Sequence, residues 1–175
     1  MAEEVQPSAV QESADSAEQQ AVVQGSPEEV VAELIKNKVG IGLFKPEDLP
    51  QIDKALAEAG FELTGRPPGV SQMGGGDTGR AGTLHRHGDG AIIVHQTLEG
   101  SGPANFYWPK RDLGGFEDNF EFNPDEDEVV ASATGIVINP DIVVVFPSST
   151  WHQFGADPHS DRHSEFRTFY PVNNT

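Results

Sequence analysis

The chain contains no cysteine, which excludes disulfides, thiolate metal sites and a cysteine nucleophile. Any metal it holds must be bound by histidine and carboxylate. Basic residues are scarce: 11 Lys and Arg stand against 28 Asp and Glu, a formal charge of -17. Such a surface repels nucleic acid and anionic lipid, so neither is expected as a partner. Long hydrophobic runs are missing too. No stretch approaches the length of a membrane span, and MAEEVQPSAVQESADSAEQQ has neither the basic nor the apolar region of a secretory leader. A cytoplasmic protein is expected.

Residues 1–25 carry five acids, no Lys or Arg and no aromatic residue. They hold too little apolar surface to offset the entropy of ordering them, so a disordered acidic tail is expected there, followed by one domain over 26–175. Ser26-Pro27-Glu28-Glu29 then supplies an N-cap, a proline at the first helical position and a glutamate at the third. This capping box predicts a helix over 27–37, ended by Gly40. A second helix is predicted from about Pro46, with Leu49, Ile52, Leu56 and Ala59 at helical spacing and a stop at Gly60.

From Gly65 the texture changes to short β-type runs punctuated by Gly, Pro, Asn and Asp. The best of them are AIIVHQTL (91–98), ANFYWP (104–109), VVASATGIVI (129–138), DIVVVFPS (141–148) and RHSEFRTFYPV (162–172), with INPD as a turn. Residues 71–82 and 110–128 read as loops. The second, with Phe116, Phe120 and Phe122 among eight acids, is long enough to close over a bound molecule, to dock a basic peptide or to stay a solvated acidic loop. No internal repeat is visible. A mainly β fold follows, a double-stranded β-helix (jelly-roll) core with two N-terminal helices packed on it, whose mouth is the natural ligand site.

The chemistry centres on HRHGDG. On an extended chain His85, His87 and Asp89 point to one side, giving three candidate ligands on one face. A further candidate, His152, follows the apolar strand DIVVVFPS. Ten residues later Arg162-His163-Ser164 opens the last strand, where alternation puts Arg162 and Ser164 on one face. If that face looks inward, the pair could hold the far carboxylate of a dicarboxylic co-substrate. Arg167 is a rival for that role, but it alternates onto the opposite face, and Ser164 favours Arg162. His95 reads as a pocket-lining or core residue, His159 and His163 as solvent-facing, and Trp108, Trp151 and Tyr107 as core or mouth aromatics.

His87-Gly88-Asp89, then His152, then Arg162-His163-Ser164 resembles the pattern of the iron(II) and 2-oxoglutarate dependent oxygenases, in particular the prolyl-hydroxylase-like group. HGDGAIIVHQTLEGSGPANFYWP and INPDIVVVFPSSTWHQF are similar to the flanking segments of that pattern, so the likeness covers about 85–170. It implies a dioxygenase that hydroxylates a small-molecule or peptide substrate while converting 2-oxoglutarate to succinate. His87, Asp89 and His152 would be the Fe(II) ligands, Arg162 and Ser164 would bind 2-oxoglutarate, and Tyr107, by region, would assist them. The chain also resembles the cupins, which share the fold: Gly79 and His85-Arg86-His87 match the start of their first motif, and Pro147-x-Ser149-x-x-His152 resembles the second. That alternative implies His85, His87 and His152 as ligands of a metal-dependent isomerase or other dioxygenase. Ala91 and Ile92 stand where the cupin glutamate is expected. A non-catalytic ligand-binding β-sandwich is the third reading.

Overall fold

Ser26 caps the first helix in both directions. Its Oγ accepts the Glu29 amide at 3.3 Å, and a Glu29 carboxylate oxygen accepts the Ser26 amide at 2.9 Å. Helix α1, Pro27–Asn37, follows and ends at Lys38, which adopts a left-handed conformation (φ 60) and bonds its amide to the Leu34 carbonyl. The structure, a computed structural model, describes residues 21–63, 69–73, 84–109, 129–156 and 161–172. A short 3-10 turn, Pro46–Asp48, leads into α2, Leu49–Glu58.

The described residues hold nine strands: β1 (Gly42–Phe44), β2 (Phe61–Leu63), β3 (Gly69–Met73), β4 (Ile92–Glu99), β5 (Gly102–Pro109), β6 (Val129–Ile138), β7 (Val143–Pro147), β8 (Trp151–Phe154) and β9 (Arg162–Pro171). They form two sheets, a larger one in the order β1-β7-β4-β9-β2 with β3 also on β9, and a smaller one in the order β6-β5-β8. Every strand pairing is antiparallel. This is the double-stranded β-helix, with the two helices packed on it.

The larger sheet is buried on both faces. Ile92, Val94, Val143, Val145 and Phe169 pack against Val30, Val31, Leu34, Ile52 and Leu56 of the helices. Ile93, Val144 and Phe146 point the other way, toward Ala104, Phe106, Trp108, Ala131, Ala133 and Phe154 of the smaller sheet. Double burial is why the strands at 92–94 and 143–146 are continuously apolar instead of alternating.

Residues 1–20, most of the expected tail, lie outside the described residues, as does the 110–128 loop. Ala21 to Val23 belong to the fold. Ala21 is fully buried in the barrel core, and the Val23 amide bonds to the Ile41 carbonyl at 2.8 Å. These residues, placed in the tail by the sequence reading, pack with the domain expected over 26–175. Four strands have no counterpart in the sequence reading. β1 and β2 are only three residues long, β3 overlaps the start of the expected 71–82 loop, and β8 follows directly on the turn at Ser148–Thr150. No helix among the described residues is long and apolar enough to cross a membrane.

Candidate metal centre

The segment carrying HRHGDG is stitched to the segment leading into β8. His85 and His152 exchange backbone hydrogen bonds in an antiparallel bridge, with N–O distances of 3.1 and 2.9 Å, and the His87 amide bonds to the Ser148 carbonyl at 2.8 Å. This pairing extends the smaller sheet and brings three imidazoles together. Ring centroids lie 4.3 Å apart for His85 and His152, 5.0 Å for His85 and His87, and 5.6 Å for His87 and His152. One nitrogen from each ring falls in a group no wider than 4.8 Å. His152 is buried while His85 and His87 are exposed, so the cluster opens to solvent on one side.

The protonation states suit metal binding. His152 Nδ1 lies 2.8 Å from the Thr150 carbonyl oxygen, to which it can only donate, so Nε2 keeps its lone pair for a metal. Burial pushes the His152 pKa down to about 3 against the opposing pull of the Thr150 carbonyl, with His85 and His87 adding to the depression. His87 is lowered by burial and by His85, while Asp89 opposes the shift. Both rings are therefore neutral near pH 7, the form that ligates.

Asp89 stands beside this group, not within it. Its Oδ1 accepts from Ser148 Oγ at 2.6 Å and from the Ala91 amide at 3.1 Å. The three candidates expected on one face thus divide: the two imidazoles join His152, and the carboxylate is turned to Ser148.

Inside the barrel lies a second polar cluster. Arg162, Ser164 and His95 are all fully buried. Arg162 Nε donates to the Gly155 carbonyl at 2.8 Å, and Nη1 donates to His95 Nε2 at 3.1 Å and to Ser164 Oγ. Phe154 contacts both side chains: the His95 ring stacks on it at 4.5 Å, and the Arg162 guanidinium carbon sits 5.6 Å from its centroid. His152, two residues before Phe154 on β8, shares that inward face, and its proximity helps lower the His95 pKa. His95, read from sequence as pocket-lining or core, is thus a bonded neighbour of Arg162. Its alternation with Ile93 was the available signal.

Arg167 is on the other side of the sheet, where Nη1 meets Asp53 Oδ2 of α2 at 2.8 Å. Tyr107 also lies away from Arg162. Its neighbours on β5, Phe106 and Trp108, face the barrel core, so Tyr107 alternates outward and packs on Trp151 with Leu84 and Val129. The assisting role expected of Tyr107 is not met by this arrangement. Trp151 faces outward as well, with Arg86 stacked 5.0 Å from its ring. His163 is half-buried, and His159 lies outside the described residues.

No family model and no curated protein matches the chain. Solved structures do. The non-heme alpha ketoglutarate dependent epimerase SnoN from nogalamycin biosynthesis is 12% identical with a TM-score of 0.51, over 82% of this chain and 58% of that one. EvdO2 from Micromonospora carbonacea var. aurantiaca is 16% identical (TM-score 0.46, 83% and 65%), and dTDP-4-dehydrorhamnose 3,5-epimerase from Bacillus anthracis str. Ames is 11% identical (TM-score 0.43, 70% and 62%). The chain thus spans less than two thirds of the length of each. The likeness to SnoN shows the fold.

Proposed function

We propose that the protein is a non-haem Fe(II) and 2-oxoglutarate dependent dioxygenase. The observation that carries this reading is the buried Arg162–Ser164 pair, which lies in the barrel interior with the buried His152. A guanidinium at that depth, on the same side as an imidazole cluster, suits a co-substrate with an anionic group at each end.

The donor set fits a divalent metal, since His152 offers Nε2 by virtue of its bond to Thr150 and His85 and His87 bring ring nitrogens beside it, with the Asp89 carboxylate adjoining the group. His87, His152 and Asp89 would hold the iron. When bound, iron supplies oxidation of a substrate C–H bond by O2, coupled to decarboxylation of 2-oxoglutarate to succinate. The chain's own part is binding and orientation. Arg162 and Ser164 hold the far carboxylate, Thr150 fixes the His152 tautomer, Ser148 steers Asp89, and the apolar walls of Ile93, Phe106, Phe146 and Phe154 keep water out.

A second reading has its own observation. The nitrogens of His85, His87 and His152 make a compact three-imidazole group without Asp89, which suits a cupin-type metal enzyme, an isomerase or other dioxygenase. The test is an anaerobic titration with Fe(II) and then 2-oxoglutarate, read by the visible charge-transfer band of the chelate. The dioxygenase reading expects the band in wild type and in His85→Ala, and its loss in Asp89→Ala. Tight metal binding without the band, abolished by His85→Ala, would transfer the assignment to the second reading. Absence of metal binding would leave a non-catalytic ligand-binding barrel.

A further inference from the structure

Two polar atoms in the barrel interior, His95 Nδ1 and Thr97 Oγ1, find no hydrogen-bond partner among the described residues. His95 is 0% exposed and Thr97 1%. A buried polar group left unsatisfied is costly and therefore uncommon, and two on one strand face call for a reason. They stand two residues apart on β4, where β9 places Phe166 opposite His95 and Ser164 opposite Thr97. Arg162 Nη1 reaches both His95 Nε2, at 3.1 Å, and Ser164 Oγ. Arg162, Ser164, His95 and Thr97 thus form one polar patch in an apolar interior.

Their hydrogen-bonding roles follow from chemistry. A guanidinium only donates, so His95 Nε2 must present its lone pair, and the single proton of the neutral ring sits on Nδ1. Burial, then Arg162, then His152 push the His95 pKa down to about 3, so the ring stays neutral across the ordinary range. His95 Nδ1–H and the Thr97 hydroxyl are donors with nothing to donate to. Ser164 Oγ, which accepts from Arg162, keeps its own proton to donate beside them. What satisfies such a patch is a group that only accepts and carries negative charge, which is a carboxylate.

We propose that His95 and Thr97, together with Arg162 and Ser164, form the receptor for the far carboxylate of an organic diacid, with His95 contributing Nδ1–H and Thr97 its hydroxyl. This rests on the dioxygenase reading, and it adds two residues that the H-x-D, His, R-x-S pattern does not contain. The patch is closed to solvent, so an arriving acid must displace side chains now packed there.

The test uses the full chain loaded with Mn(II), with equilibrium binding of 2-oxoglutarate and of pyruvate as the readout. Pyruvate has the same keto-acid end and no far carboxylate. Wild type should prefer 2-oxoglutarate. Thr97→Val, which keeps the volume, and His95→Gln, whose amide oxygen can still accept from Arg162, should each weaken 2-oxoglutarate about ten-fold and leave pyruvate unchanged. Thr97→Ser and His95→Asn, which restore a donor near the lost one, should recover much of the loss. A merely structural role would weaken both acids alike, and that result would overturn the proposal, as would wild-type 2-oxoglutarate binding in both Thr97→Val and His95→Gln. If those two bind normally while Arg162→Ala does not, the dioxygenase reading stands without this receptor. If wild type does not distinguish the two acids, the dioxygenase reading fails first.

Discussion

Arg162 and Arg167 stand on the same strand and project to opposite faces of the larger sheet. Arg162 is fully buried against His95 and Ser164, while Arg167 pairs with Asp53 on helix α2 at 2.8 Å. The two substitutions should therefore separate cleanly. Arg162→Ala should abolish 2-oxoglutarate binding. Arg167→Ala should leave it intact and lower stability by about 1 kcal/mol or less, because the Asp53 side chain is 41% exposed and solvent screens the pair. Calorimetric titration and thermal melting of both variants check this, and equal binding losses would contradict it.

Ser148 donates to Asp89 Oδ1 at 2.6 Å, and the Ala91 amide donates to the same oxygen at 3.1 Å. Under the dioxygenase reading these bonds would set the orientation of a ligating carboxylate. Ser148→Ala should weaken Mn(II) binding by about ten-fold to a hundred-fold with little change in fold. Unaltered affinity, measured by calorimetry, would mean that Asp89 takes no part in the site.

The turn between β4 and β5 sits against the start of β9. Gly100 has φ +74, and a Cβ there would run into the Asp161 carbonyl oxygen, next to the Arg162 backbone. Gly100→Ala should destabilise the fold by more than about 1 kcal/mol, since both the backbone conformation and the space oppose it. It should also weaken 2-oxoglutarate binding by displacing Arg162. Denaturant unfolding and equilibrium binding test the two parts separately, and a wild-type midpoint would show that the turn tolerates a side chain.

His95 makes the fold acid-sensitive. Its folded pKa is pushed down to about 3 from an ordinary 6.5, so below the ordinary value the unfolded chain binds a proton that the folded chain refuses. Stability contributed by the neutral ring is complete above the ordinary value and is lost as pH falls from there toward the folded value. The slope is about 1.4 kcal/mol per pH unit for one proton. His95→Gln, whatever its stability at neutral pH, should show a shallower dependence by one proton between about pH 6 and about pH 4. Parallel profiles for the two proteins would refute the assignment.

Much of the fold is legible in the residues. The capping box sets α1 at Pro27–Asn37 as expected, and the apolar runs at 92–98 and 143–147 mark β4 and β7. The short strands are not legible, because three-residue β1 and β2 carry too few positions for a period and are held by their partners β7 and β9. Of the site, His87, His152 and the Arg162–Ser164 pair could be named from spacing. The grouping of His85 with His87 and His152 is implied by the cupin resemblance and not by spacing, because it depends on a backbone bridge between residues far apart in the chain.

By itself the sequence excluded thiol chemistry, placed the histidines and arginines at telling intervals, and put Arg162 and Arg167 on opposite sides of one strand. Only the tertiary structure decided which side is inside. A strand's period of two separates faces without naming them, and here both faces of the larger sheet are buried, one under helices and one in the barrel, so apolarity does not mark the interior. The same limit applies to Tyr107, which alternation turns outward, and to Asp89, whose carboxylate is drawn aside by Ser148. Which chains meet across the barrel is a property of sheet pairing, and pairing is settled by contacts between distant segments.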